Sequence, residues 1–117
     1  MTVDADDELI GRNVLKMFNW GYQTKRSGVL YSNYYWYSHG LLLSKGYSAD
    51  YLESDRVQRD YRFNRKFSHL RSFRNELLFQ IDSKDLLDID GKFFNSTFDF
   101  ALFVPLMELA CRRVNQI

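Results

Sequence analysis

The chain has 117 residues and a formal net charge of +1, which suits one hydrophobic core and excludes a global field that would gather nucleic acid or an anionic membrane. One domain over residues 1–117 is expected. The composition departs from the average in its rings: 10 Phe, 8 Tyr and 2 Trp make 17% of the chain, and rings of this size dominate both core and interface energetics.

The opening residues Met1 to Glu8 are acidic and carry no apolar stretch, the opposite of a signal or transit peptide. The lone Cys111 sits in an apolar run and has no partner for an internal disulfide, so it reads as a small buried hydrophobe and the chain as cytoplasmic. The strongest apolar stretch, residues 98–110, is interrupted by Asp99, Pro105 and Glu108 and is shorter than the roughly 20 residues that span a bilayer. It reads as a core element, and no membrane partner is expected.

In chain order, the acids before Ile10, Val14, Met17 and Phe18 predict a first helix from about Asp4 to Asn19. Gly21 and Gly28 bracket a polar connection. Leu30, Tyr34, Tyr37 and Leu41 then keep helical spacing, although Tyr34-Tyr35-Trp36-Tyr37 has strand propensity and Gly40 costs a helix about 1 kcal/mol. A helix is preferred, with Gly46 as its C-cap and a short further helix from Ser48 through Val57. Phe63, Phe67, Leu70, Leu77 and Ile81 share one face at helical spacing, with Phe73 and Leu78 at its edges, which predicts another helix. Asp90-Gly91 is a turn signal. Beyond it, Phe98, Phe100, Leu102 and Val104 alternate like a strand, whereas Thr97 as a cap and apolar residues on all sides suit a buried helix. The helix is preferred, ending at Arg112 and Arg113. The expected fold class is therefore mainly α: a bundle of about four to five helices, with room for a small β-hairpin near residues 86–104.

Metal and cofactor sites are not expected. His39, His69 and Cys111 supply no zinc spacing, and Asp85, Asp88 and Asp90 lack the other ligands of a calcium loop. Phosphate-binding loops, nucleophile elbows and dinucleotide fingerprints are also missing, so a non-enzymatic role is expected.

Two constellations remain. Arg56, Arg59, Arg62, Arg65, Lys66, Arg71 and Arg74 form a basic segment that could meet nucleic acid or an acidic protein, or be neutralised by acids of the same fold. Arg74 falls on the apolar face of the predicted helix, so a structural ion pair with Asp99 or Glu108, the acids of the other apolar segment, is expected. Arg74-Asn75 followed by Gln80 also resembles the motif of helical RNA-cleaving domains of the HEPN class, with Gln80 in the place of the histidine. That resemblance implies a helical RNA-binding or RNA-cleaving domain using Arg62, His69 and Arg74, but a glutamine is no acid or base near neutral pH.

The second constellation is Tyr31-Ser32-Asn33-Tyr34-Tyr35-Trp36-Tyr37-Ser38-His39, rigid rings among small hydrogen-bonding side chains, as protein-binding surfaces use. Four consecutive rings cannot all enter one core, so some of Tyr34 to Tyr37 are expected in solvent. The leading expectation is a protein-binding protein, of the toxin-neutralising immunity or phage-inhibitor kind, with a toxin or nuclease domain as its partner. Tyr34, Tyr35, Trp36 and Tyr37 are its anchors, and Arg62 and Lys66 its rim charges. A structural subunit that buries its rings in a homo-oligomer is the third alternative.

Overall fold

The computed structural model describes residue 2 and residues 7–117. Its described residues form a mixed α/β structure, 34% helix and 21% strand, which overturns the expectation of a mainly α bundle. In chain order the elements are α1 (Val14–Thr24), β1 (Val29–Tyr31), β2 (Tyr34–Ser38), β3 (Leu41–Gly46), α2 (Glu53–Gln58), β4 (Arg71–Phe73), α3 (Asn75–Leu78), a 3-10 turn (Ser83–Leu86), α4 (Phe98–Ala110) and β5 (Val114–Gln116).

The organising element is β1. Its three residues are all buried, which is the pattern of a strand covered on both faces. It pairs antiparallel with β4, Val29 opposite Phe73 and Tyr31 opposite Arg71, and parallel with β5, Val29 opposite Val114. The strand order is β4-β1-β5. α4 lies against the start of β1 closely enough that a Cβ on Gly28 would stand 2.9 Å from that of Ala110, so only glycine permits this approach. The expectation of a buried tail helix holds: Phe103 to Met107 and Ala110 of α4 are buried around the apolar helix. The hairpin allowed for residues 86–104 is reduced to one isolated bridge, Leu87 to Phe93, around the turn at Gly91.

Three further expectations are corrected. The first helix starts at Val14 and runs through Gly21, where a Cβ would crowd the side chains of Leu30 and Ile117; residues 4–6 of the expected span lie outside the described residues. The helix expected from Phe63 to Ile81 is absent. Phe63 is exposed, Arg71 to Phe73 pair with β1, and only Asn75–Leu78 are α-helical, so tertiary pairing overrides a coincidental spacing of apolar residues. The Tyr-rich segment is a β-hairpin, not a helix. Its turn, His39-Gly40, has positive φ at both residues (49° and 75°), the requirement of a two-residue turn that matches strand twist.

Among the buried residues, three tyrosines form a column. Tyr31 meets Tyr51 edge-on at 6.0 Å and Tyr51 meets Tyr61 at 4.8 Å. Each hydroxyl is satisfied: Tyr31 donates to the Ala49 carbonyl (2.8 Å), Tyr51 accepts from Lys66 N (3.1 Å) and Tyr61 donates to the Cys111 carbonyl. The buried rings therefore carry no unmatched polar atom. Among the described residues, no helix is long and apolar enough to cross a membrane.

Candidate functional site

The hairpin β2–β3 pairs with itself and with no other described strand, so neither of its outer edges carries a further strand among the described residues. Within residues 35–47 seven large apolar side chains are exposed: Tyr35, Trp36 (58%), Tyr37, Leu41, Leu42, Leu43 (64%) and Tyr47 (72%). A two-stranded hairpin is marginal in water by itself, and open apolar edges invite another chain. Register explains how so many face outward together. Trp36 is opposite Ser44 but Tyr37 is opposite Leu42, so Leu43 is an extra, bulged residue. The bulge brings Leu42 into register with Tyr37, on the side where Tyr35 faces Lys45. The Lys45 ammonium lies 5.8 Å from the Tyr35 ring centre and 4.9 Å from that of Tyr47. Of the four expected anchors, Tyr35, Trp36 and Tyr37 are exposed and Tyr34 is half-buried, as the impossibility of burying four consecutive rings requires.

Tyr34 and Trp36, two residues apart, share the opposite face and meet edge-on at 5.6 Å. They border a cleft of about 590 Å³ between the hairpin and the segment before α1, lined also by Asp7, Glu8, Ile10 and His69. His69 anchors one wall. Its Nε2 lies 3.0 Å from Arg71 Nη2, and a guanidinium only donates, so Nε2 accepts and Nδ1 carries the ring proton toward Asp7 Oδ2 at 3.2 Å. Arg71 in turn donates to Asp99 at 2.6 Å. The chain of contacts Asp7–His69–Arg71–Asp99 thus holds the ring in place through both of its nitrogens.

Four of the seven basic residues of the segment are paired with acids of the same fold. Arg56, Arg62, Lys66 and Arg71 pair with Asp50, Glu108, Asp55 and Asp99 at 2.6–3.0 Å, and Arg65 lies over the Phe100 ring. Lys66, expected as a rim charge, is largely enclosed between Asp55 and the Tyr51 ring; Arg62 is bidentate on Glu108, and neither lines the cleft. Asp55 is held below its usual range, first by the Lys66 hydrogen bond and then by the Leu52 N–H.

Arg74 is not the ion-pair partner of Asp99 or Glu108. It precedes α3 in an extended conformation, donates to the carbonyls of Ser27 (2.8 Å) and Tyr22 (3.2 Å), and lies over the Tyr22 ring. The buried acid–base partnership belongs to Arg71, whose spacing placed it on no apolar face once a helix was assumed. The resemblance to the helical RNA-cleaving motif fails in the same place: α3 ends at Leu78, and Gln80 lies beyond it, donating to the Glu76 carbonyl. Arg62, His69 and Arg74 each engage a different set of partners and do not form one site.

Sequence reasoning found the rings but missed the leucines. The signal was present: an aromatic run of strand propensity, a two-residue turn containing Gly, and a second apolar run. No group of three or more His, Cys, Asp or Glu among the described residues could hold a metal ion. No family model matches the chain, and no curated protein or solved structure is significantly similar to it.

Proposed function

We propose that this chain is a non-enzymatic protein-binding protein that engages its partner through the exposed side chains and unpaired strand edges of the β2–β3 hairpin. The observation that carries this reading is the concentration of exposed Tyr35, Trp36, Tyr37, Leu42, Leu43 and Tyr47 on a hairpin whose strands pair only with each other. About half the surface of four rings, each roughly 150–250 Å², amounts to roughly 400 Å² before the leucines are added. A standard interface takes about 800 Å² from each partner. The hairpin supplies the larger part of such a patch, and its edges add main-chain hydrogen bonds by strand addition.

The proposed partner class is a toxin or nuclease domain neutralised by contact, in keeping with a small chain that lacks catalytic motifs. The test is affinity capture from the native cell with wild-type and Leu43→Asp baits. A stoichiometric protein retained by the first and lost from the second supports the reading, and equal retention rejects it. Self-association is the second reading, favoured by the two unpaired strand edges, since a hairpin edge is complementary to its own copy about a two-fold axis. Sedimentation of the purified chain as a dimer that Leu43→Asp dissociates would select it.

A further inference from the structure

The charge of the chain is unevenly placed. Residues 9–49 hold Arg12, Lys16, Lys25, Arg26 and Lys45 and no Asp or Glu, whereas cations and acids balance over residues 50–117. Four of these cations lie in and around α1 and are exposed: Arg12 just before it, Lys16 in its first turn, Lys25 at its C-cap and Arg26 next in the chain. None of the four is in an ion pair among the described residues, in contrast to Arg56, Arg62, Lys66 and Arg71. Such a face attracts an anion even though the whole chain is close to neutral.

Lys16 and Lys25 line a groove of about 520 Å³ together with Asn13, Met17, Trp20 and Ile117, a size in the range of ligand sites, and no acidic side chain lines it. Trp20 stands four residues past Lys16, on the same row of α1, and is 55% exposed. Among the described residues no ring or cation lies on its face, and its indole N–H has no acceptor. Lys25 donates one N–H to the Gln116 carbonyl at 2.8 Å, which places the ammonium at the groove and leaves two N–H groups for another acceptor. An indole face flanked by cations suits a flat ring joined to anions. A bilayer surface is flat and does not reach into a groove. An acidic side chain would answer the lysines but leave the Trp20 face uncovered, and a base inside a duplex has both of its faces covered already.

We propose that this groove binds single-stranded nucleic acid, one base stacking on Trp20 while the neighbouring phosphates meet Lys16 and Lys25 and the flanking ones meet Arg12 and Arg26. The groove shares no residue with the β2–β3 hairpin, so this site stands or falls separately from the protein-binding surface.

The experiment is fluorescence titration of the full chain, carrying Trp36→Phe so that Trp20 is the one indole, with oligouridylate and oligothymidylate of about ten nucleotides and with oligoglutamate of equal length, at several salt concentrations. The strands should quench Trp20 with a dissociation constant on the order of 10–100 μM at low salt. Log affinity should fall with log salt at a slope of about −2, the value for roughly three phosphate contacts. Lys16→Gln, an exposed change, should reduce that slope by about 0.7. Trp20→Ala should weaken binding about tenfold, and Trp20→Phe, which keeps a ring, should recover most of the loss. Arg62→Gln should change neither affinity nor slope. Tighter binding of the uridylate would identify RNA as the ligand, and equal binding of the two strands would identify single-stranded nucleic acid of either kind. Oligoglutamate bound as tightly as the strands, a salt slope near zero, or a loss in Arg62→Gln that Lys16→Gln does not show overturns the proposal.

Discussion

The Tyr34 ring covers Gly46, its cross-strand partner, so closely that a Cβ built on the glycine would run into the ring itself. The absence of a side chain at Gly46 thus lets Tyr34 lie across the hairpin and reach Trp36 and His69. Gly46→Ala should push the ring out of this position and destabilise the protein by about 1–3 kcal/mol, the range for overpacking. Thermal denaturation measures the cost, and loss of proximity between the Tyr34 and Trp36 rings by magnetic resonance identifies its cause.

The arginines divide by environment. Arg71 is buried (4% exposed) and bonded to Asp99, so Arg71→Ala should cost about 3–5 kcal/mol by stranding a half-buried carboxylate and releasing His69. Arg62→Ala should cost less than about 1 kcal/mol, because its pair with Glu108 is largely in water. Arg74→Ala falls between, at about 1–3 kcal/mol, since two main-chain carbonyls lose a donor. Chemical denaturation of the three variants in parallel checks the ranking, and Arg62→Ala as the most damaging would contradict it.

Stability should fall at both ends of the pH scale. Burial opposes ionisation of Asp99, but the hydrogen bond and charge of Arg71 outweigh it and hold the carboxyl below its usual range. The unfolded chain therefore binds more protons than the folded one just below the free value of about 3.9, and stability drops as pH falls through that window. At the alkaline end, burial above all raises Tyr22, Tyr31, Tyr51 and Tyr61. Above about pH 10 the unfolded chain releases protons that the folded chain keeps, so stability declines as pH rises. Phenolate absorbance should rise together with loss of ellipticity for these four residues. Asp99→Asn should reduce the acid-side slope while leaving the alkaline side unchanged.

The sequence showed some of this directly. The buried tail helix was legible because Phe98 to Ala110 is apolar on every side, and the exposure of the Tyr-rich rings followed from their number alone. The strands were not. β1, β4 and β5 have three residues each, too few for a period of two to separate from one of 3.6, and β4 contains Ser72 and the buried Arg71. Leu41-Leu42-Leu43 defeated alternation because the bulge at Leu43 resets the register. Arg71 reads from the sequence only as one more member of the basic segment because its partner, Asp99, lies 28 residues away in the chain and only the fold joins them.

The account rests on the hairpin as a binding surface, and the most direct measurement is the affinity of the captured partner for the chain with Trp36→Ala and Leu43→Ser introduced singly. Each residue is exposed and should contribute little to the fold, so the melting temperature should stay close to that of the wild type. Calorimetry should show partner affinity weakened by about 2 kcal/mol or more for at least one of the two, as expected when an exposed ring or its neighbour is a hot spot. Unchanged affinity in both variants, with the fold intact, would contradict the assignment of this hairpin as the interface.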